Sequence, residues 1–437
     1  MRRLLGNSWV SLGTSNVLVL VLGITTGILA ARMLLPEGRG ALAAIILWPH
    51  IIVGLGILGL NESLIYRLGN KDVDRGKAVA SALLAAFLLS VLMVVIGWVL
   101  LPYLLGEERQ VWLEITRGYL VFFVILSFFG RILNAVDQSE LRFTRVSVFR
   151  LMNPAIYLLG LVVFWYFGGL TVEEAVYANL AGVVLVQLIR IAMTLGVFCR
   201  LPSLAEVGII LRRGMKFHVV VALFFIGSQI DKIALILLWD DYSVGLYVVA
   251  VTLAQAGLGV VANVFHTIMY PNIVKTDERD DQVKYLAQGL RFSMLLLVGG
   301  AVTLILMSTW LVPFLFGEAF EASVAITVFL LSAYVPLQLR NIIARSLRGL
   351  GLSRPSAIAE MTALAVFIAI FVPMGDVMGL PGIACSMLIA NLTAIVYMAV
   401  YLHRALGVGL SAWWGLNPTT LVEFMQKLLQ LLGSARR

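Results

Sequence analysis

From Ala78 to Leu101 the sequence carries no charged side chain, and its two serines are the only polar ones. That run is as long as the roughly 20 residues a helix needs to cross the hydrocarbon of a bilayer. Similar runs recur along the whole chain of 437 residues, which is 61% hydrophobic and 13% charged. A soluble protein is nearer 45–50% apolar and about 25% charged, so this chain has too little charge to cover a water-facing surface. In lipid only helices and closed barrels satisfy their own backbone groups. Barrel strands alternate polar and apolar over about ten residues. The runs here are continuous, so the chain is helical.

Spans are expected at 8–33, 41–66, 78–101, 115–136, 146–167, 174–199, 218–239, 244–269, 289–312, 322–344, 356–375 and 380–402, twelve in all. The first follows Met1-Arg2-Arg3 and is too long for a signal-peptide core, so it reads as a retained helix. With an internal N-terminus, 25 of the 32 Lys and Arg residues fall in the cytoplasmic loops or at the span ends that border them, four on the outer side in the same sense, and three, Arg131, Arg190 and Lys232, deep within spans. That asymmetry puts both termini in the cytoplasm. The sequence also repeats. Leu101-Pro102-Tyr103-Leu104-Leu105-Gly106-Glu107 after span 3 is echoed 211 residues later by Val312-Pro313-Phe314-Leu315-Phe316-Gly317-Glu318 after span 9. Leu34-Leu35 to Gly40 and Leu237-Leu238 to Gly245 match more loosely. Six spans per half preserve polarity, so the halves should be related by an axis along the membrane normal. The alternative is that such a Pro-aromatic-Gly-Glu stretch is simply a common way to end a span. The expected architecture is all-α, with six-helix lobes at 1–205 and 206–404 around a central cavity. A tail at 405–437 follows, in which Leu421, Phe424, Met425, Leu428 and Leu432 share one face of an amphipathic helix lying on the membrane surface.

Several motifs are decoys. Gly54-Leu55-Gly56-Ile57-Leu58-Gly59 satisfies GxGxxG but lies within a span, with no strand before it, so its glycines serve helix packing. Asp74-Arg75-Gly76-Lys77 approaches the loop signature of major-facilitator transporters, but lacks its residue between Arg and Gly and reads as a solvated turn. Cys199 and Cys385 have no disulfide or metal spacing, and His50, His218, His266 and His403 are scattered. No nucleophile elbow or P-loop occurs, and the loops are too short for a nucleotide domain. No enzyme constellation and no cofactor are expected. The basic residues lie in short loops rather than in a stripe, which argues against nucleic acid.

The informative residues are charges inside spans. A central charge costs at least about 2.5–3.5 kcal/mol on insertion scales, so it usually faces a partner or a wet cavity. Asp231 and Lys232 in span 7 and Arg190 in span 6 are of this kind. Lys232 could instead snorkel to the interface, and Asp231 could pair with Arg190 or Lys232. Glu62, Arg131, Asn134 and His266, nearer span ends, read as cavity candidates or as helix-packing residues. Arg32, at the end of span 1, completes the candidate set. Pro49, Pro154, Pro336 and Pro373 fall within spans, where they kink helices.

In order along the chain, the short motifs resemble those of the oligosaccharide-unit flippases of bacterial surface-polysaccharide assembly, in the multidrug/oligosaccharidyl-lipid/polysaccharide superfamily. The resemblance runs from about residue 5 to 405. It rests on Leu34-Leu35-Pro36-Glu37-Gly38-Arg39-Gly40, on Gly59-Leu60 with Ser63, Leu64 and Arg67, and on Asp231 followed by Val244-Gly245-Leu246-Tyr247 and Ala250. Leu315 to Phe320, Arg348 to Pro355 and Gly379-Leu380-Pro381-Gly382 complete it. The first loop departs from that family's Gly-Pro-Glu-Glu-Phe wording. The resemblance implies a transporter of the bacterial inner membrane that moves an undecaprenyl-pyrophosphate-linked sugar unit between leaflets. It would have H+ or Na+ as a coupling ion and other polysaccharide-assembly membrane proteins as partners. The alternative within the same fold class is an ion-coupled exporter of small organic cations. On the flippase reading, Lys232 with Arg190 or Arg32 would neutralise the pyrophosphate, and Asp231 would hold the cation or carry a proton.

Overall fold

A computed structural model describes residues 2–70, 73–194, 200–275, 278–409 and 413, with a few side chains of these, His266 among them, left undescribed. Every described element is helical: α1 (Arg2–Gly56), α2 (Leu60–Leu68), α3 (Arg75–Leu105), α4 (Leu113–Ser139), α5 (Phe143–Gly168), α6 (Val172–Met193), α7 (Leu204–Gly227), α8 (Ile230–Leu238), α9 (Asp241–Lys275), α10 (Arg279–Phe316), α11 (Ser323–Gly349), α12 (Ser353–Met378) and α13 (Leu380–Leu406), with short 3-10 turns before α4 and α11. Ten of them are long and apolar enough to cross a membrane. One of these, Ser15–Gly56, is two spans joined at Leu35, and Val221–Gly227 with Ile230–Leu238 makes a further span bent by 49°. The total is the expected twelve. The amphipathic helix expected in the tail lies outside the described residues.

The breaks have local causes. Leu35 takes φ 59°, ψ 177°, outside the helical region that a following proline, here Pro36, disfavours. The second span does not run unbroken to residue 66 as expected. It stops at Gly56, turns through Ile57–Gly59 with Gly59 at φ 66°, and restarts as α2. The literal GxGxxG is this turn, and the Asp74 motif is a helix cap in which Asp74 accepts from the Lys77 backbone N–H at the start of α3. The seventh span also breaks, at Ser228 and Gln229, so Asp231 and Lys232 stand in the first turn of α8 rather than deep in a continuous helix.

Contacts group the described residues into two compact units. The first holds the residues through Thr252 together with Val312–Ser323, and the second holds Leu253–Leu311 and the described residues from Val324 onward. In the first unit α1 packs on α5, α3 on α4, and α5 on α6. In the second α12 packs on α13. Helix α3 shows the membrane rule for such packing. Its small residues Ala78, Ala82, Ala85 and Ala86 are buried, while Leu88, Leu92, Val95 and Val99 are exposed. Lipid is as apolar as leucine, so close backbone approach rather than burial of large side chains drives the contact.

Candidate functional site

Helices α1, α4, α5 and α6 of the first unit enclose an open cavity of about 390 Å³. Ligand sites typically measure about 300–1,000 Å³. Three helices line it in the same way. Helix α4 contributes Ser127, Gly130, Arg131 and Asn134; α5 contributes Val146, Phe149, Arg150 and Asn153; α6 contributes Val183, Val186, Gln187 and Arg190. Each set has the spacing i, i+3, i+4, i+7, which is one face of an α-helix. Helix α1 adds His50 and Val53, one turn apart. The polar members therefore form three pairs one turn apart: Arg131 with Asn134, Arg150 with Asn153, and Gln187 with Arg190.

The lining holds three arginines and no carboxylate. One carboxylate stands behind it. Asp137, 4% exposed, accepts from Arg190 Nη2 at 2.9 Å through Oδ2, and Arg145 Nη1 lies 3.5 Å from its Oδ1. Both guanidinium groups also stand over the Phe149 ring, Arg190 at 4.9 Å and Arg145 at 5.8 Å. A buried charge is tolerated when it is paired and hydrogen-bonded, and Arg190 meets that condition. Asp137 offsets one of its two arginines and Glu62 acts on Arg131 from outside the lining, so the lining itself keeps a surplus of positive charge. Arg150 donates to Asn16 Oδ1 at 2.6 Å, a neutral partner that leaves its charge uncancelled. Arg131 is exposed in the cavity.

His50 sits beside this surplus. Its Nδ1 lies 2.8 Å from the Ile46 carbonyl, a contact that puts the proton on Nδ1 and leaves Nε2 as the acceptor nitrogen. The ring packs 4.3 Å from Phe123, which stacks at 5.0 Å on Tyr119. Arg131 and Lys232 are both close enough to His50 to act on it electrostatically, and Glu62 stands in the same relation to Arg131. Arg131 is thus the link between His50 and Glu62, and Arg190 lies next to it, its Nη1 3.5 Å from the Gly130 carbonyl.

The other candidates are engaged elsewhere. Arg190 lines the cavity but pairs with Asp137, and the Tyr247 hydroxyl donates to buried Asp231 at 3.1 Å. Lys232 Nζ donates to Gln229 Oε1 at 3.1 Å. Arg32 donates through Nε to the Leu315 carbonyl at 2.7 Å and through Nη2 to the Phe314 carbonyl. The His266 side chain lies outside the described ones. Sequence reasoning left out His50, Arg150, Asn153 and Gln187. The signal that could have found them is the basic or amide pair one turn apart, repeated on three consecutive spans.

Outside the spans, the Arg67 guanidinium holds the Glu206 carboxyl below the usual carboxylate range through a hydrogen bond of 2.6 Å, and Glu206 raises Arg67 in return. No group of three His, Cys, Asp or Glu residues among the described ones could hold a metal ion.

A family model described as polysaccharide biosynthesis protein matches residues 28–325. No curated protein matches the chain. Among solved structures, the lipid II flippase MurJ in an inward closed conformation is similar at TM-score 0.78 and 14% identity, covering 96% of this chain and 92% of that one. A MATE family multidrug resistance transporter of the MOP superfamily, inward-facing, is similar at TM-score 0.75 and 17% identity, covering 92% and 98%. A MOP superfamily transporter from Pyrococcus furiosus, described as having a binding pocket of reverse polarity, follows at TM-score 0.61 and 17% identity, covering 91% and 95%. At these identities the likeness is one of fold.

Proposed function

Because the chain belongs to the family of polysaccharide biosynthesis proteins, we propose that it is a flippase carrying a diphosphate-linked sugar unit on a polyprenyl lipid across the cytoplasmic membrane. The observation that supports this reading is the cavity lined by Arg131, Arg150 and Arg190 without a carboxylate. A diphosphate leaving water needs cationic partners with directed N–H donors, which guanidinium groups supply in pairs. Asn134, Asn153 and Gln187 supply donors and acceptors of the kind that sugar hydroxyls require. The lipid tail stays in the bilayer throughout. Arg131, with Lys232 and His50 beside it, takes the diphosphate. Arg190, held by Asp137, contributes its remaining N–H groups. Buried Asp231 against Tyr247 is where a coupling H+ or Na+ would act. On this reading the protein is a transporter rather than an enzyme, has both termini in the cytoplasm, and works as two six-helix lobes that rock around the substrate.

A second reading, ion-coupled export of small organic cations, draws on the fold likeness to the MATE transporter. The cavity's surplus of positive charge weighs against it, since a cation would meet like charge. The test is restoration of surface-polysaccharide display in a strain lacking the gene, with membrane abundance measured for each variant. Arg131→Lys should retain display, and Arg131→Ala should reduce it at least tenfold at normal abundance. Full display by Arg131→Ala would place the substrate elsewhere.

A further inference from the structure

The polar wall of the cavity does not stop at its lining residues. Between Gly40 and Pro49 every residue of α1 is buried except Ala43 and Ile46. Arg39 and His50, which flank that stretch, are also accessible. The four fall at i, i+4, i+7 and i+11, which is one face of an α-helix. This stripe leads from His50 in the cavity to Arg39, about 16 Å along the helix axis. The other three helices extend their cavity faces in the same way. Tyr119 stands one turn beyond Phe123 on α4, Tyr157 one turn beyond Asn153 on α5, and Asn179 one turn beyond Val183 on α6. In the topology read from the Lys and Arg residues, all four steps lead toward the outer face.

These side chains form a second polar group in the first unit. The Tyr119 hydroxyl donates to Asn179 Oδ1 at 2.7 Å, which keeps the Asn179 amide nitrogen as a donor. Tyr157 is within electrostatic reach of both Tyr119 and Arg39. Arg39 has no counter-charge. Its Nε is buried without a hydrogen bond, and no carboxylate pairs with it among the described residues. An arginine near the end of a span usually extends its head outward to the interface. Arg39 instead acts on Tyr157, the fifteenth of the 26 residues of α5 and so a mid-span group. A guanidinium held there without a counter-charge weakens the empty fold. Within a span, a charge in that condition marks a place for a ligand of opposite sign.

We propose that Arg39, with the Tyr157 hydroxyl and the Asn179 amide, is a second anion subsite, which the diphosphate occupies after leaving Arg131 and before entering the outer leaflet. The proposal rests on the flippase reading. A single cationic cavity would hold a diphosphate rather than pass it on, because escape would break every charge-assisted bond at once. Passage needs binding that is divided among sites, each weak enough to leave. A guanidinium about three helical turns from His50 supplies the next site. Ala43 and Ile46 between them carry no hydrogen-bonding side chain, so nothing on the stripe detains the headgroup. The chemistry recognised is that of phosphate oxygens, whether borne on a lipid or free in water.

The test reads access and charge beside Arg39 without transport. The full chain, with Cys199→Ala, Cys385→Ala and Ala43→Cys, is placed in lipid nanodiscs. The introduced thiol is reacted with a negative and with a positive methanethiosulfonate reagent. The negative reagent should be favoured, and Arg39→Gln should cut the ratio of the two rates on the order of tenfold, since one charge acts on them in opposite senses. Arg39→Lys should keep the ratio. Undecaprenyl diphosphate in the nanodisc should slow the reaction with native Arg39 and not with Arg39→Gln. Slowing by inorganic pyrophosphate alone would make this a site for a soluble anion and overturn its place on the transport path. A thiol that does not react, or a ratio that Arg39→Gln leaves unchanged, would make Arg39 a packing residue and overturn the subsite. Should Arg39→Gln fail to fold, the native-arginine chain decides alone, and no slowing by either diphosphate overturns the proposal. Slowing at Ala43→Cys with full display by Arg131→Ala would keep the subsite and reject Arg131 as the first one. Display lost in Arg131→Ala with no slowing at Ala43→Cys would keep the flippase reading and overturn the subsite alone.

Discussion

Two buried arginine–carboxylate pairs, one in each compact unit, look alike until their surroundings are compared. Arg190 and Asp137 in the first unit have side chains 7% and 6% exposed, and Arg340 and Glu360 in the second have side chains 5% and 4% exposed. Arg340–Glu360 ties α11 to α12 with contacts of 3.1 and 3.3 Å, and Arg348 adds a second positive charge that acts on Glu360. Asp137 serves two arginines, and the wall that holds Arg190 continues into Arg131 and Arg150 around an open cavity. A buried charge therefore does not mark a site by itself. A surplus of one sign beside an open volume does, because only there has a ligand of opposite charge something left to neutralise.

The contrast can be broken most sharply in the second unit. Glu360→Gln leaves Arg340 sealed without a counter-charge, and removing one partner of such a pair costs about 3–5 kcal/mol. Thermal unfolding in detergent should show that loss, and the pair of changes Arg340→Met with Glu360→Leu should recover most of it. Asp137→Asn should cost less, about 2 kcal/mol, because Arg190 borders a cavity that water can enter. The same change adds one uncompensated positive charge, so diphosphate binding should tighten while the fold weakens. Equal stability losses at the two sites, with binding unchanged, would erase the distinction between them.

Glu206 gives a smaller effect with a definite pH signature. Its folded pKa lies below the unfolded value near 4.3, so its ion pair with Arg67 stabilises the protein above that value. The contribution is lost as pH falls through the depressed folded value. Glu206→Gln should be less stable than wild type by up to about 1 kcal/mol near pH 7, and the two should converge as the pH falls below the depressed folded value. A difference that stays the same from pH 7 down through the acid range would mean that packing rather than charge holds α2 to α7.

The spans were readable because charge-free runs of twenty residues leave a chain little choice, and Pro36 after Leu35 announces the break in α1. The breaks at Ile57–Gly59 and Ser228–Gln229 were not, since neither carries a proline, and the first depends on a neighbour: Gly59 lies against the Gly214 carbonyl of α7. Arg131, Glu62 and Lys232 stood out as charges within apolar runs, and of these only Arg131 is in the cavity lining. Arg150, four residues into the span at 146–167, reads with the basic loop before it because charge at a span's edge counts as loop, whereas α5 starts at Phe143 and carries Arg150 to the cavity wall. Asp137 was hidden for the same reason: α4 continues past residue 136 to Ser139. The pairing of Asp137 with Arg190 depends on how α4 and α6 pack, which spacing along one chain does not encode.

The smallest change to the fold bears on the central claim. Arg131 is exposed in the cavity, so Arg131→Ala should shift stability by no more than about 0.5 kcal/mol. Its effect belongs to the ligand. Purified wild-type protein and Arg131→Ala are heated with undecaprenyl diphosphate, with undecaprenol, and with tetraphenylphosphonium as a small organic cation. At one hundred times its Kd a ligand stabilises the folded state by about 2.7 kcal/mol, and a tenfold weaker Kd removes about 1.4 of that. The diphosphate should stabilise the wild type, Arg131→Ala should lose at least half of that gain, and undecaprenol should do little in either. Stabilisation of the wild type by tetraphenylphosphonium and not by the diphosphate would contradict an anion-binding cavity.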